Sequence, residues 1–320
     1  MVEILTVRNL SKQFGSKKAV DDISFSVTRG AVMGLLGPNG AGKTTAIRMI
    51  MGILPADRGE VTFSFNGTPG RLDKSKVGYL PEERGLYYDV RVLDNLVYLS
   101  ALKGKPAAHA RREGMAWLKR LGLANYAFQK LEKLSKGMQQ KVQFIASVLH
   151  QPQLVLFDEP FSGLDPVNQD FMKQVIRELQ ADGVTILLSA HQMHLVEELC
   201  DSIFLINHGR EVLSGTLQDI KRRYKENTVE LRFSPSQDTS FLKTIPGMRV
   251  LKEGPGEASL RYGGTLTPSE LVQLLGNRME LQEITVAKPP LHEIFIETVK
   301  ERGECGETAG HAESSTLGVC

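Results

Sequence analysis

Cysteine is scarce in this sequence, and its three cysteines stand far apart. Cys200, Cys305 and Cys320 form neither a disulfide framework nor the close pairs of a zinc site, as is typical of a protein in a reducing compartment. An excess of charge of one sign is also missing. The formal net charge is only +2, which gives no reason to expect a nucleic-acid partner.

Long hydrophobic runs are absent as well. No stretch approaches the roughly 18 apolar residues of a membrane-spanning helix, and the first four residues do not resemble the start of a signal peptide. Any role at a membrane is therefore expected to come through a partner. A chain of 320 residues is too long for one ordinary core, so we expect two domains.

A glycine-rich segment at residues 37–45 is the strongest motif present. It follows an apolar run at residues 32–36, leads into a helical pattern and fits G-x-x-x-x-G-K-[ST], the phosphate-binding loop. Lys43 is expected to reach the β- and γ-phosphates of a nucleotide, and the Thr44 hydroxyl to hold Mg²⁺. The alternative is a glycine-rich turn that binds nothing. The predicted binding residues are Gly37, Pro38, Asn39, Gly40, Ala41, Gly42, Lys43, Thr44 and Thr45.

Two further apolar runs end in residues that could act on a phosphate. Residues 154–157 end at Asp158 and Glu159, and residues 184–188 end at Ser189-Ala190-His191. Because ligands of doubly wound sheets lie at the carboxyl ends of strands, we expect Asp158 to bind Mg²⁺ and Glu159 to deprotonate the attacking water. His191 falls at the same end and can donate to a γ-phosphate. The alternative for the acidic pair is a solvated loop.

Weaker signals lie elsewhere in the chain. Phe14 could stack on an adenine, or could only cover the rim of a sheet. Ser135 can cap a helix, and with Gly137 it could form a second anion site, although most serine-capped helices bind no ligand. His150 has no special placement and is interpreted as a packing or surface residue.

Together these segments resemble the ATP-binding subunit of ATP-binding cassette (ABC) transporters over residues 1 to about 225. Residues 37–45 match the Walker A loop, Asp158 ends the match to Walker B, and Glu159 matches the catalytic carboxylate. The resemblance implies that His191 is the switch histidine and that Phe14 stacks on adenine. The segment that separates this family from other phosphate-loop enzymes is its signature, which here comprises Ser135, Lys136, Gly137 and Met138. Residues 162–165 match the D-loop, with Asp165 at its end.

Two positions depart from the family pattern. The signature reads Ser-Lys-Gly-Met, which keeps Ser135 and Gly137 and adds the positive charge of Lys136. The Q-loop glutamine is replaced by Glu82, which can still ligate Mg²⁺ but cannot donate an amide hydrogen bond. The resemblance thus implies a metal site of Thr44, Glu82 and Asp158. The segment around Glu82 resembles bacterial exporters of the sodium-extrusion and multidrug type.

The expected fold is an α/β P-loop cassette followed by a small α+β domain. The cassette, residues 1–225, should hold a mainly parallel mixed sheet, an antiparallel N-terminal β part and a helical subdomain at about 86–150. In residues 226–300 the apolar pattern predicts strand-helix-strand-strand-helix-strand, with a capping box at Thr267–Glu270. Residues 301–320 are polar, rich in glycine and predicted to be disordered.

The resemblance implies an ATPase that uses ATP and Mg²⁺ and works as a head-to-tail pair. The second member would be another copy or a paralogous ATPase subunit. The pair would sit at the inner face of the cell membrane on an integral permease and power export. One alternative is a soluble ABC-type ATPase acting on ribosomes, DNA or a protein complex. Another is a nucleotide sensor without hydrolysis.

Overall fold

The computed structural model describes residues 2–65, 67–83, 85–224 and 226–301. The chain divides into two compact units, of which the first ends at Thr216 and the second begins at Leu217. The division lies before the boundary expected at 225, because an unpredicted helix at Leu217–Arg223 belongs to the second unit. Residues 302–320, which belong to the tail predicted to be disordered, lie outside the described residues.

The first unit alternates strands and helices. Its strands are β1 (Glu3–Phe14), β2 (Lys17–Thr28), β3 (Val32–Leu36), β4 (Arg58–Phe63), β5 (Val77–Leu80), β6 (Leu154–Asp158), β7 (Thr185–Ala190), β8 (Ser202–Asn207) and β9 (Arg210–Thr216). Its helices are α1 (Lys43–Ile50), α2 (Val92–Ala101), α3 (Ala107–Arg120), α4 (Lys136–Val148), α5 (Pro166–Ala181) and α6 (Met193–Leu199).

A six-stranded sheet of order β5-β6-β7-β3-β8-β9 forms the centre of this unit. The first five strands in this order pair in parallel, and β9 runs antiparallel to β8, so the sheet is mixed as predicted. β3, β6 and β7 are apolar except for Asp158, Thr185 and Ser189 and are completely buried, because helices and the N-terminal sheet cover both faces. Asp158 pairs with Ser189, and Leu36 pairs with Ala190, so the three strands end together.

The antiparallel part predicted at the N-terminus is a three-stranded sheet of order β2-β1-β4. Its inward side chains share one apolar core with α1 and the central sheet. Phe14 is the last residue of β1 and leaves half of its side-chain surface exposed. Helices α2, α3 and α4 surround a second core that includes Leu93, Leu118 and Val142, which forms the expected helical subdomain.

The second unit contains α7 (Leu217–Arg223), β10 (Asn227–Phe233), β11 (Met248–Gly254), β12 (Glu257–Tyr262), α8 (Pro268–Gly276), β13 (Leu281–Ala287) and α9 (Leu291–Glu301). A short 3₁₀ helix, Ser240–Thr244, stands where the first helix of the α+β pattern was expected. The sheet order is β11-β12-β10-β13, and every pair is antiparallel. The small α+β domain is therefore confirmed.

The four-stranded sheet of the second unit carries a buried charge that we did not predict from the sequence. The Arg261 side chain is only 4% exposed, and it donates to Glu293 at 2.7 Å and to Glu297 at 2.9 Å. Both carboxylates belong to α9. Since a buried guanidinium is costly without partners, this network ties α9 to the sheet of its own unit.

Candidate nucleotide-binding site

The loop between β3 and α1 is shaped for an anion. Gly37 and Gly42 both have positive φ, at 154° and 112°. A Cβ on Gly37 would lie 2.2 Å from the carbonyl oxygen of Ile206, and one on Gly42 would lie 2.4 Å from that of Ala19. Only glycine fits at either position, and the loop leads directly into the N-terminus of α1, where backbone N–H groups and the helix dipole attract negative charge.

Lys43 is held over this loop. Its side chain is 5% exposed, and its ammonium group donates to the carbonyl oxygens of Gly37 at 2.8 Å and Pro38 at 3.2 Å. The same Nζ lies 3.4 Å from Oε1 of Glu159. The ammonium group is thus fixed between the loop and the acidic residues after β6.

A hydroxyl and two carboxylates meet beside the loop. Thr44 Oγ1 lies 3.2 Å from Oδ1 of Asp158 and 3.3 Å from Oε2 of Glu82, within donating distance of both. Ser189 Oγ donates to Oδ1 of Asp158 at 2.6 Å and accepts the backbone N–H of Glu159 at 3.0 Å. Ser189 therefore connects the ends of β6 and β7 and fixes both acidic residues.

Asp158 has the burial and the free oxygen of a metal ligand. It is completely buried, burial raises its pKa, and its Oδ2 has no hydrogen-bond partner among the described residues. In the described ranges no group of three or more His, Cys, Asp or Glu side chains is arranged to hold a metal ion alone. Mg²⁺ typically takes one or two carboxylates and completes its shell with water and phosphate oxygens, so Thr44, Asp158 and Glu82 fit such an ion bound together with a nucleotide.

Glu159 joins the acidic group to His191. Nδ1 of His191 lies 2.9 Å from Oε2 of Glu159, while the other carboxylate oxygen faces Lys43. Glu159 also has a positive φ of 53°, an uncommon conformation for a residue with a side chain. The structure thus brings together Lys43, Thr44, Asp158, Glu159 and His191 as the sequence suggested, and Glu82 lies beside Thr44 as the predicted metal site requires.

The predicted signature and D-loop residues lie near one another. Ser135 caps α4 and accepts the backbone N–H of Met138 at 3.3 Å. Asp165 caps α5 and accepts the backbone N–H of Asn168 at 3.0 Å, which lowers the pKa of Asp165. A Cβ on Gly137 would lie 3.9 Å from the carbonyl oxygen of Gly163, so the segments 135–138 and 162–165 are neighbours.

Two residues near the site were missed from the sequence. Ser189 is the next-to-last residue of β7 and pairs with Asp158, and its place close to a strand end could have indicated its role. Gln143 is a polar residue buried in α4, and its amide donates to the carbonyl oxygens of Pro81 and Glu83. A glutamine amid the apolar positions of a helix was the available signal.

The parallel sheet, its glycine loop and the acidic residues at its edge define a P-loop nucleotide-binding protein. Residues 20–162 match the family model described as ABC transporter, and residues 215–299 match that of the ATP-binding protein DrrA1-3-like, C-terminal domain. The chain belongs to the ABC transporter family and is an ATP-binding subunit of such a transporter.

Individual relatives agree with this assignment. The uncharacterized ABC transporter ATP-binding protein YhaQ of Bacillus subtilis (strain 168) is 41% identical over 297 residues, covering 92% of this chain and 98% of that protein. The Nod factor export ATP-binding protein I of Ralstonia nicotianae is 37% identical over 214 residues, covering 66% of this chain and 67% of that protein. A solved structure of an ATP-binding subunit of an ABC transporter has a TM-score of 0.62 and 33% identity, covering 69% of this chain and 92% of that one.

These relatives give no support to a soluble ATPase that acts on ribosomes, DNA or a protein complex. None of the helices in the described part of the chain has the length and apolar character that crossing a bilayer requires.

Proposed function

We propose that this chain hydrolyses ATP to ADP and phosphate and that hydrolysis powers export through a separate membrane permease. The observation that carries the proposal is the position of Glu159. Its two carboxylate oxygens lie 3.4 Å from Nζ of Lys43 and 2.9 Å from Nδ1 of His191, beside the Thr44–Asp158 pair. A carboxylate in that place can act as a base on a water at the γ-phosphate.

Binding of the nucleotide uses the loop and its helix. Backbone N–H groups of residues 37–45 receive the phosphates, Lys43 binds the β- and γ-phosphate oxygens, and Phe14 stacks on the adenine. Thr44, Asp158 and Glu82 would hold Mg²⁺, which neutralises negative charge on the phosphates when it is bound. When the Lys43 ammonium group binds a phosphate oxygen, it would give up its contact with Glu159, and the Glu159 carboxylate would then be available to the attacking water.

Hydrolysis then depends on Glu159 and His191. Glu159 orients the attacking water and takes its proton. His191 keeps the carboxylate in place through the contact at 2.9 Å and can donate to the γ-phosphate. Ser189 supports this arrangement by accepting the backbone N–H of Glu159.

The second group of residues serves a second subunit. The signature residues would contact the γ-phosphate of ATP held by that subunit; these are Ser135, Lys136, Gly137 and Met138. Asp165 would lie at the interface between the two subunits. The capped N-terminus of α4 suits a phosphate, and Lys136 adds a positive charge. Two chains placed head to tail would therefore enclose two ATP molecules, with either another copy or a paralogous ATPase subunit as the partner.

Export is favoured over import by the relative named for Nod factor export and by the C-terminal domain. The subunit would act from the cytoplasm, attached to the inner face of the cell membrane by its permease. The permease would select the transported substrate.

Sedimentation velocity tests the pairing. The Glu159→Gln variant, which is expected to retain ATP, should dimerise with Mg²⁺ and ATP and stay monomeric with EDTA. The same measurement is made after mixing with a paralogous ATPase subunit of the same cell. A second substitution in the same chain, Lys43→Ala, should abolish association both with another copy and with the paralogous subunit. Absence of any ATP-dependent association would refute the head-to-tail arrangement.

A further inference from the structure

Residues 81–83 connect the two helices that carry the predicted phosphate contacts. On one side, the amide of Gln143 in α4 donates to the carbonyl oxygen of Pro81 at 3.0 Å and to that of Glu83 at 3.2 Å. These two carbonyl groups flank Glu82. The single side chain of Gln143 therefore uses both of its N–H groups on the backbone at either side of a predicted metal ligand.

The other side of the segment faces α1. Glu82 Oε2 lies 3.3 Å from Thr44 Oγ1, and Oε1 of Glu83 lies 3.7 Å from an Arg48 guanidinium nitrogen. The Glu83 side chain is 86% exposed, so its ion pair fixes the backbone only weakly. Glu82 is exposed as well. Apart from its contact with Thr44, its carboxylate therefore depends on the backbone hydrogen bonds from Gln143 for a defined position.

The burial of Gln143 argues that these bonds matter. Gln143 is 4% exposed and stands between Val142 and Phe144, which are completely buried. A buried amide is costly unless it is hydrogen-bonded, so the place of Gln143 in α4 depends on its bonds to the backbone at residues 81 and 83. Those bonds hold the Glu82 segment.

We infer that Gln143 is a positioning residue that holds Glu82 beside Thr44 and thereby strengthens the binding of Mg²⁺ together with ATP. The inference rests on the proposed function, because it assumes that Mg²⁺ binds at Thr44, Asp158 and Glu82. Outer partners that orient metal ligands typically contribute about 10–100-fold to metal affinity. Since Glu82 is one of three protein ligands, we expect an effect near the lower end, about tenfold.

An equilibrium titration of the full chain with a fluorescent ATP analogue tests this, with Mg²⁺ and with EDTA. For Gln143→Leu we expect affinity in EDTA within about twofold of wild type and a gain from Mg²⁺ that is about tenfold smaller. Gln143→Glu, which faces a carboxylate toward two carbonyl oxygens, should lose at least as much. Equal weakening in EDTA and in Mg²⁺ would overturn the inference, since it would indicate general damage to the site.

Gln139 gives a matched control in the same helix. It is 6% exposed and donates to the carbonyl oxygens of Leu131 and Leu134, away from Glu82. Gln139→Leu should therefore retain the full gain from Mg²⁺. If Gln143→Leu fails to fold, Gln143→Met, which keeps an unbranched side chain of similar length, replaces it in the titration.

A double-mutant cycle separates positioning from other effects. In a Glu82→Ala background, Gln143→Leu should change the gain from Mg²⁺ by less than about twofold, because the carboxylate it positions is gone. A tenfold effect that persists in that background would overturn the inference. A wild-type chain whose ATP affinity does not respond to Mg²⁺ would refute the proposed metal site itself, whereas a normal wild-type response with an unchanged Gln143→Leu would refute only the role of Gln143.

Discussion

Glu159→Gln is the substitution that most directly probes the proposed chemistry. Glutamine preserves the size of the side chain and can still contact His191, but it cannot take a proton at neutral pH. Loss of a general base typically lowers turnover by about 10²–10⁴-fold, equivalent to about 2.7–5.5 kcal/mol in the barrier. The contact of 3.4 Å to Lys43 adds a second expectation. Without the carboxylate, Lys43 is free for phosphate and one negative charge near the triphosphate is removed, so ATP should bind as tightly as to wild type or more tightly.

Turnover is measured as phosphate release at saturating Mg²⁺ and ATP, and affinity by equilibrium titration of the same preparations. Glu60→Gln is the matched control, because Glu60 is 64% exposed and forms an ion pair with Arg8 on the three-stranded N-terminal sheet. It should change neither quantity. A Glu159→Gln turnover within about twofold of wild type would refute the assignment of the base.

Three further substitutions test other parts of the account. Lys43→Ala should weaken ATP binding by about 10–100-fold, the worth of a charge-assisted hydrogen bond, and full affinity in an equilibrium titration would contradict its phosphate role. Burial raises the pKa of Asp158, so its ionised form is costly when no cation is bound. Asp158→Asn should therefore raise the free energy of unfolding without nucleotide and abolish the stabilisation by Mg²⁺ with ATP, and a lower melting temperature of the nucleotide-free variant would contradict this. Burial lowers the pKa of His150 to about 4, so the unfolded chain takes up the proton first as the pH falls. About 2 kcal/mol of stability should be lost between pH 7.5 and pH 5 in denaturant titrations, and His150→Gln, which can still donate to the Val77 carbonyl oxygen, should reduce that loss by the same amount.

Much of the fold and the position of the phosphate loop could be predicted because they depend on local pattern. Apolar runs such as β3 and β6 identify buried strands, and the residue after each strand falls at one edge of a parallel sheet. That rule alone placed Asp158, Glu159 and His191 together. The capping box at Thr267 and Glu270 was likewise readable, and both of its hydrogen bonds are present.

Other contacts could not be predicted, because they join segments that are distant in the sequence. Gln143 reaches the carbonyl oxygens of residues 81 and 83 only after α4 packs beside β5, and spacing does not encode that contact. The same holds for Arg261, whose partners on α9 follow it by more than thirty residues. The helix at Leu217–Arg223 was not predicted, because its single buried residue, Ile220, gives no periodic apolar pattern.

Isolation of the tagged chain from detergent-solubilised membranes of its own cell shows whether it is an ATPase subunit that works on a membrane permease. Bound proteins are identified and quantified by mass spectrometry, with untagged cells as the control. We expect a polytopic membrane protein in near-equal amount. Recovery only from the soluble fraction, together with ribosomal or nucleic-acid-binding proteins, would contradict it.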